Sequence, residues 1–157
     1  MSQRLARLIQ LLHLKQDATQ KNYRELIKAK DQFEQNKIKH EQLVNYRLDY
    51  VQQLGVLGQE GSNVGRLRNR IDFITHLDTA LIQLNTHLAQ LAKARTKAER
   101  HYKEAKASEE SVFKLIERVK KTEQGKLQRM EQKESDEYAQ KQWYSKNNND
   151  QSNDFIE

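Results

Sequence analysis

The chain has 157 residues, of which 32% are charged, 36% hydrophobic and 7% aromatic, with no proline and no cysteine. So polar a composition excludes a globular core of that size, and the missing cysteines exclude a disulfide framework and thiolate metal sites. The net charge of +6 favours acidic partners, and no apolar run approaches the roughly 20 residues that cross a bilayer.

The first segment begins MSQRLARLIQLLHLK, with arginines and no acid before Asp17. A transit peptide shares that bias. Its leucines, however, join a seven-residue repeat, so the stretch reads as the start of a structural helix over residues 2–54. One row of the repeat holds Leu5, Leu12, Leu26, Phe33 and Leu54, and the other Leu8, Ala29, Leu43 and Tyr50. Lys15, Thr19, Asn22, Asn36, His40 and Arg47 interrupt it. Polar residues on a coiled-coil seam lower stability and fix register.

Residues 55–65, GVLGQEGSNVG, hold four of the five glycines. Glycine ends helices and tolerates the left-handed backbone of a chain reversal. The segment is therefore read as a turn, with Ser62 or Asn63 as the cap of a second helix over 66–144. That helix carries the strongest repeat: Leu67, Ile74, Leu81 and Leu88 on one row, Leu77, Leu84 and Leu91 on the other. Ala98, Tyr102, Ala105, Val112, Ile116 and Val119 continue it, broken only by Arg95 and Glu109. A sustained 3.5-residue period requires a partner helix against the seam.

The expected fold is thus all-α: a single rod-like unit over 1–146, an antiparallel two-helix coiled-coil hairpin with a longer second helix. Residues beyond about 120 have no opposite number on the first helix, and there the repeat fades to Glu123, Lys126, Met130, Lys133 and Glu137. Residues 147–157 are polar, rich in asparagine, and expected to be disordered. Charged pairs at four-residue spacing (Glu99 and Lys103, Glu110 and Lys114, Glu117 and Lys121, Glu137 and Lys141) read as a solvated helix face.

No catalytic constellation is present. The five histidines lack the three- or four-residue spacing that puts two ligands on one helical face, and the glycines match no phosphate-binding loop. The reading is a non-enzyme without cofactor or metal. Apolar surface near the turn exceeds what one seam can hide: Leu43, Tyr46 and Tyr50 run beside Val44, Leu48 and Val51, and Phe73, Leu77, Ala80 and Leu84 beside Ile71, Ile74, Leu81 and Leu88. Surplus of this kind marks a protein-binding surface.

Two stretches resemble the flagellar export protein FliJ family: LVNYRLDYVQQL (43–54) followed after the turn by NRIDFITHLDTALIQL (69–84), and RMEQKESDEYAQK (129–141). The resemblance covers nearly the whole chain. It implies a cytoplasmic stalk or adaptor of the flagellar type III protein export apparatus, peripheral to the inner face of the cell membrane at the flagellar base. It further implies that the protein links the ring of the export ATPase FliI to the cytoplasmic domain of the gate protein FlhA and assists recycling of export chaperones. Carried over by position, the gate-facing residues are Leu43, Tyr46, Tyr50, Phe73, Leu77, Ala80 and Leu84. The ATPase- or chaperone-facing residues are Arg129, Met130, Gln132, Lys133, Asp136, Glu137 and Tyr138. The isolated protein is expected to be a monomer. The rival readings are the equivalent stalk of a virulence injectisome and a basic coiled-coil scaffold for nucleic acid or anionic membrane. Against the latter, neither helix holds a dense basic block.

Overall fold

A computed structural model describes residues 2–61 and 63–154, and these form two long helices, α1 (Gln3–Gln59) and α2 (Val64–Asp154), joined by a short turn. Local chemistry sets their ends. At the start of α1 the Leu5 N–H donates to the Ser2 hydroxyl at 3.1 Å, an N-cap that satisfies one of the orphan amides of the first turn. At the start of α2 the Gly65 N–H donates to Asn63 Oδ1 at 3.0 Å, so Asn63 is the cap. Ser62, the alternative, lies outside the described residues.

The turn is shorter than the sequence suggested. Helix α1 runs through Gly55 and Gly58 to Gln59, and the chain breaks only at Gly61, whose φ of 69° is the left-handed conformation that ends a helix. Two glycines inside a helix cost propensity, but they neither forbid it nor occur at a backbone angle that needs them. The second correction concerns the C-terminal end. Residues 147–154, expected to be disordered, continue α2, and 155–157 lie outside the described residues. Beyond Gly125 there is no glycine or proline to stop the helix, and asparagine and serine oppose it only by a few tenths of a kcal/mol each.

The chain divides into two compact units, and each helix contributes to both. In the unit of residues 14–109 the helices are antiparallel. From Lys15 to Leu57, every residue of the heptad rows is buried or half-buried, and the same holds for α2 from Leu67 to Glu109. The seam is narrow, with only Leu26 and Leu77 fully buried. Three of the six polar seam residues turn back on their own helix. Thr19 Oγ1 donates to the Lys15 carbonyl at 2.9 Å, Asn22 Nδ2 to Ala18 at 2.9 Å, and Asn36 Nδ2 to Gln32 at 2.7 Å.

Register across this seam is fixed by a different set. Arg47 Nε donates to Asp78 Oδ1 at 2.5 Å, the Arg95 guanidinium lies over the Phe33 ring at 5.7 Å, and the Tyr23 and Tyr102 rings meet at 5.6 Å between centroids. The hydrogen bond to Asp78, aided by its charge, raises the Arg47 pKa above its ordinary value. Its folded-state preference for the charged form is therefore present at all lower pH and lost only in strong alkali. Of the helix-surface pairs expected from spacing, Glu99 instead meets Arg95 at 3.4 Å and Glu117 meets Lys120 at 3.9 Å. Exposed ion pairs are weak enough for neighbouring partners to compete.

In the other unit, residues 1–13 and 110–157, a small core forms from Leu5, Val112, Ile116 and Val119, flanked by Leu8, Ile9, Leu12 and Leu115. Ile116, 3% exposed, is the most deeply buried of them. Beyond the core, every residue of α2 from 126 to 146 is exposed.

Two stability predictions follow from these placements. Ile116→Ala should cost about 2–5 kcal/mol by urea unfolding, because it empties a packed site, while the exposed Phe113→Ala should stay within about 0.5 kcal/mol. Gly58→Ala should stabilise by roughly 0.5–1 kcal/mol, since nothing lies within 4 Å of the added Cβ and its φ is negative. Gly61→Ala should destabilise by about 1–2 kcal/mol, because L-residues resist the left-handed region. Thermal melts of the two glycine variants, moving in opposite directions, check the turn.

Candidate interaction surfaces

Near the turn the seam sorts the expected gate-facing residues into two kinds. Leu77 is buried, Leu43, Tyr50, Ala80 and Leu84 are half-buried on or beside the seam, and only Tyr46 and Phe73 are exposed, at 56% and 44%. Tyr50, placed both on a heptad row and among the expected gate-facing residues, serves the seam. Its ring packs on Phe73 at 4.4 Å between centroids and takes the Arg70 guanidinium at 5.2 Å. The physical reason is that Leu43, Tyr50, Leu77 and Leu84 occupy heptad rows, and a two-helix seam needs both rows of each helix. Phe73, one step off the row, packs its ring against Tyr50 and stays exposed.

The apolar surplus is nevertheless real, and more of it lies on the neighbouring stripe. Val44, Leu48 and Val51, at the four- and three-residue steps that share a helical face, are all exposed, as is Ile71 of α2. Periodicity identifies these residues as the companion stripe but does not say which of the two the partner helix takes. Alongside, Asp49, Gln53, Val56, Leu57 and Arg70 line a groove between the helices.

The second surface is the exposed end of α2. Arg129, Met130, Gln132, Lys133, Asp136, Glu137 and Tyr138 all face solvent. Short-range contacts hold some of them in place: Gln132 Nε2 donates to Asp136 Oδ1 at 3.1 Å, and Gln142 Nε2 to the Tyr138 hydroxyl at 2.9 Å. Leu127, Trp143 and Tyr144 are exposed here too, with the Trp143 and Tyr144 rings edge to face at 5.2 Å. These three were missed as surface residues. Leu127, Met130 and Tyr138 fall within one helical face, a signal that three- and eleven-residue steps could have given.

Near the turn, the exposed His76 ring is engaged by the Asp72 carbonyl at 2.7 Å. Among the described residues no group of three or more His, Cys, Asp or Glu is placed to hold a metal ion, and no helix is long and apolar enough to cross a membrane.

Comparison with known proteins adds one finding. The family model described as "Flagellar FliJ protein" matches residues 3–148, which takes in both helices, the turn and both surfaces. No curated protein and no solved structure matches the chain. The chain belongs to the flagellar FliJ family and is a component of the flagellar export apparatus.

Proposed function

We propose that this protein is the stalk or adaptor of the flagellar export apparatus, joining the export ATPase ring at one surface to the export gate at the other and assisting chaperone recycling. The observation that supports this most is the pair of uncovered surfaces at opposite ends of α2's sequence. Residues 126–146 form a helix with every side chain exposed, Met130 and Tyr138 by more than 60%, although a helix without a packed face has little to stabilise it. Near the turn, Tyr46 and Phe73 stand out on a framework rigidified by the Tyr50, Phe73 and Arg70 stack. Rigid aromatic anchors lose little entropy on binding, which makes them common hot spots.

The gate-facing set is narrowed accordingly. Tyr46 and Phe73 make the contact, with Ala80 and the edges of Leu43, Tyr50 and Leu84 as its floor, and Leu77 acts beneath it through the seam. On the α2 end, the ATPase ring reads Met130 and Tyr138 together with Arg129, Lys133, Asp136 and Glu137.

Two measurements test this reading. Tyr46→Ala and Phe73→Ala should weaken binding to the gate protein's cytoplasmic domain by about thirtyfold or more, equivalent to 2 kcal/mol, while fold stability changes by less than about 1 kcal/mol. Leu77→Ala should cost about 2–5 kcal/mol in stability. If Phe73→Ala melts as early as Leu77→Ala, the aromatic belongs to the seam and the gate assignment fails. For the α2 end, amide exchange over 126–146 should be fast in the free protein and slow when the ATPase ring is added. Unchanged exchange would remove the ring from this surface.

A further inference from the structure

Read along the sequence, the positive charge looks dispersed; folding gathers it. In the unit of residues 14–109, the antiparallel pairing sets 14–40 against 89–109, as the Tyr23–Tyr102 and Phe33–Arg95 contacts show. These two stretches together hold 13 Lys/Arg and 7 Asp/Glu, a net +6, which equals the net charge of the whole chain. The turn-proximal stretch 41–88 holds 4 and 5, residues 1–13 hold 2 and none, and 110–157 hold 9 and 10. Both candidate surfaces described above are thus close to neutral, and the stretch that belongs to neither carries the field.

That charge is available. Ten of the 13 cations are exposed, and among the described residues the ion pair within these stretches is Arg95 with Glu99. Lys21 and Lys28 recur at seven residues on one side of α1, and Lys37 recurs after Lys30 on another. On α2, Lys93, Lys97 and Arg100 share a face and line a groove with Ala92 and Thr96. A seam of two helices would fold with neutral residues at all these outer positions, so the packing does not account for the excess.

We propose that this central stretch is a third docking surface, one that recognises an acidic protein through charge complementarity. The cations lie on several sides of the helix pair, whereas a nucleic-acid duplex is followed by cations on one face and a membrane plane meets only one side. The seven interleaved carboxylates would oppose a phosphate lattice at close quarters. A protein surface that is acidic overall, with some basic residues of its own, accommodates both signs. Complementarity of this kind governs association rate and orientation more than ultimate affinity, and salt weakens it.

The test uses the full chain and two charge-reversed variants of equal net change. One replaces Lys21, Lys28, Lys97 and Arg100 by Glu; the other replaces Lys120, Lys126, Arg129 and Lys133, all exposed on α2. The probes are polyglutamate as the acidic polypeptide, a short DNA duplex, and vesicles of equal parts phosphatidylcholine and phosphatidylglycerol. Circular dichroism checks folding, and a Lys/Arg→Gln version of each variant covers the case in which a reversal unfolds the helices. The central variant should lose about tenfold or more in polyglutamate affinity at low salt, and the control less than about threefold. Equal losses in the two variants, or none in either, would show that no localised surface exists. Tighter binding of the wild-type chain to the duplex or to the vesicles than to polyglutamate would overturn the partner class. None of these readouts depends on the gate or the ATPase, so the docking surface and the stalk reading stand or fall separately.

Discussion

Everything in this structure depends on the limited capacity of a two-helix seam. Two helices in contact bury only the two heptad rows of each, and even these are mostly half-buried, so just six hydrophobic side chains in the described residues fall fully inside. A seam this thin leaves the outer positions free of packing demands. Their composition is then decided by solubility and by partners. It also places much of the specificity on contacts between particular side chains. The Arg47–Asp78 pair, the Arg95–Phe33 stack and the Tyr23–Tyr102 contact cannot be satisfied at a neighbouring register.

The unequal helix lengths leave the far end of α2 uncovered. Helix α1 has 57 residues and α2 has 91, so an antiparallel partner is exhausted before α2 ends, and the residues left over cannot bury anything within the chain. Leu127, Met130 and Tyr138 nevertheless recur on one face of the excess. They are separated by Gln128, Arg129, Glu131, Lys133, Glu134 and Asp136, which keeps the apolar surface broken into single side chains rather than a continuous patch. A soluble chain tolerates isolated exposed apolar residues. The proposed partner, with matching pockets and opposite charges, would read the same residues as a set.

Most of the fold was legible because heptad periodicity carries long-range information: a strict 3.5-residue repeat on two arms of opposite direction predicts both the helices and their pairing. The rows from Leu5 to Tyr50 and from Leu67 to Val119 are the ones the structure buries or half-buries. What failed was local. Glycine content marked the turn too widely, because Gly55 and Gly58 lower helix propensity without compelling a break, and only the backbone angle at Gly61 reveals where the break occurs. Asparagine content likewise suggested disorder where the helix continues to Asp154. The surfaces were legible in part. That the turn region has too much apolar surface follows from counting, but which stripe is left outside depends on the rotation of each helix about its axis. Tyr50 and Leu77 had a place both on the heptad rows and in the gate-facing set, and the structure gives them to the seam; Tyr46 and Phe73, on neither row, stay exposed.

In the proposed gate contact, Phe73 would be a better anchor than its exposure alone suggests. An aromatic ring free in solvent has rotamer entropy to lose on binding, whereas Phe73 is already held against Tyr50, which is itself held by Arg70 and by the seam below. The ordering cost is met within the folded chain by contacts that exist before a partner arrives. Tyr46 has no ring contact of this kind among the described residues. Of the two exposed aromatics, the preorganised one should therefore fix where the proposed partner sits, with Tyr46 adjusting to it.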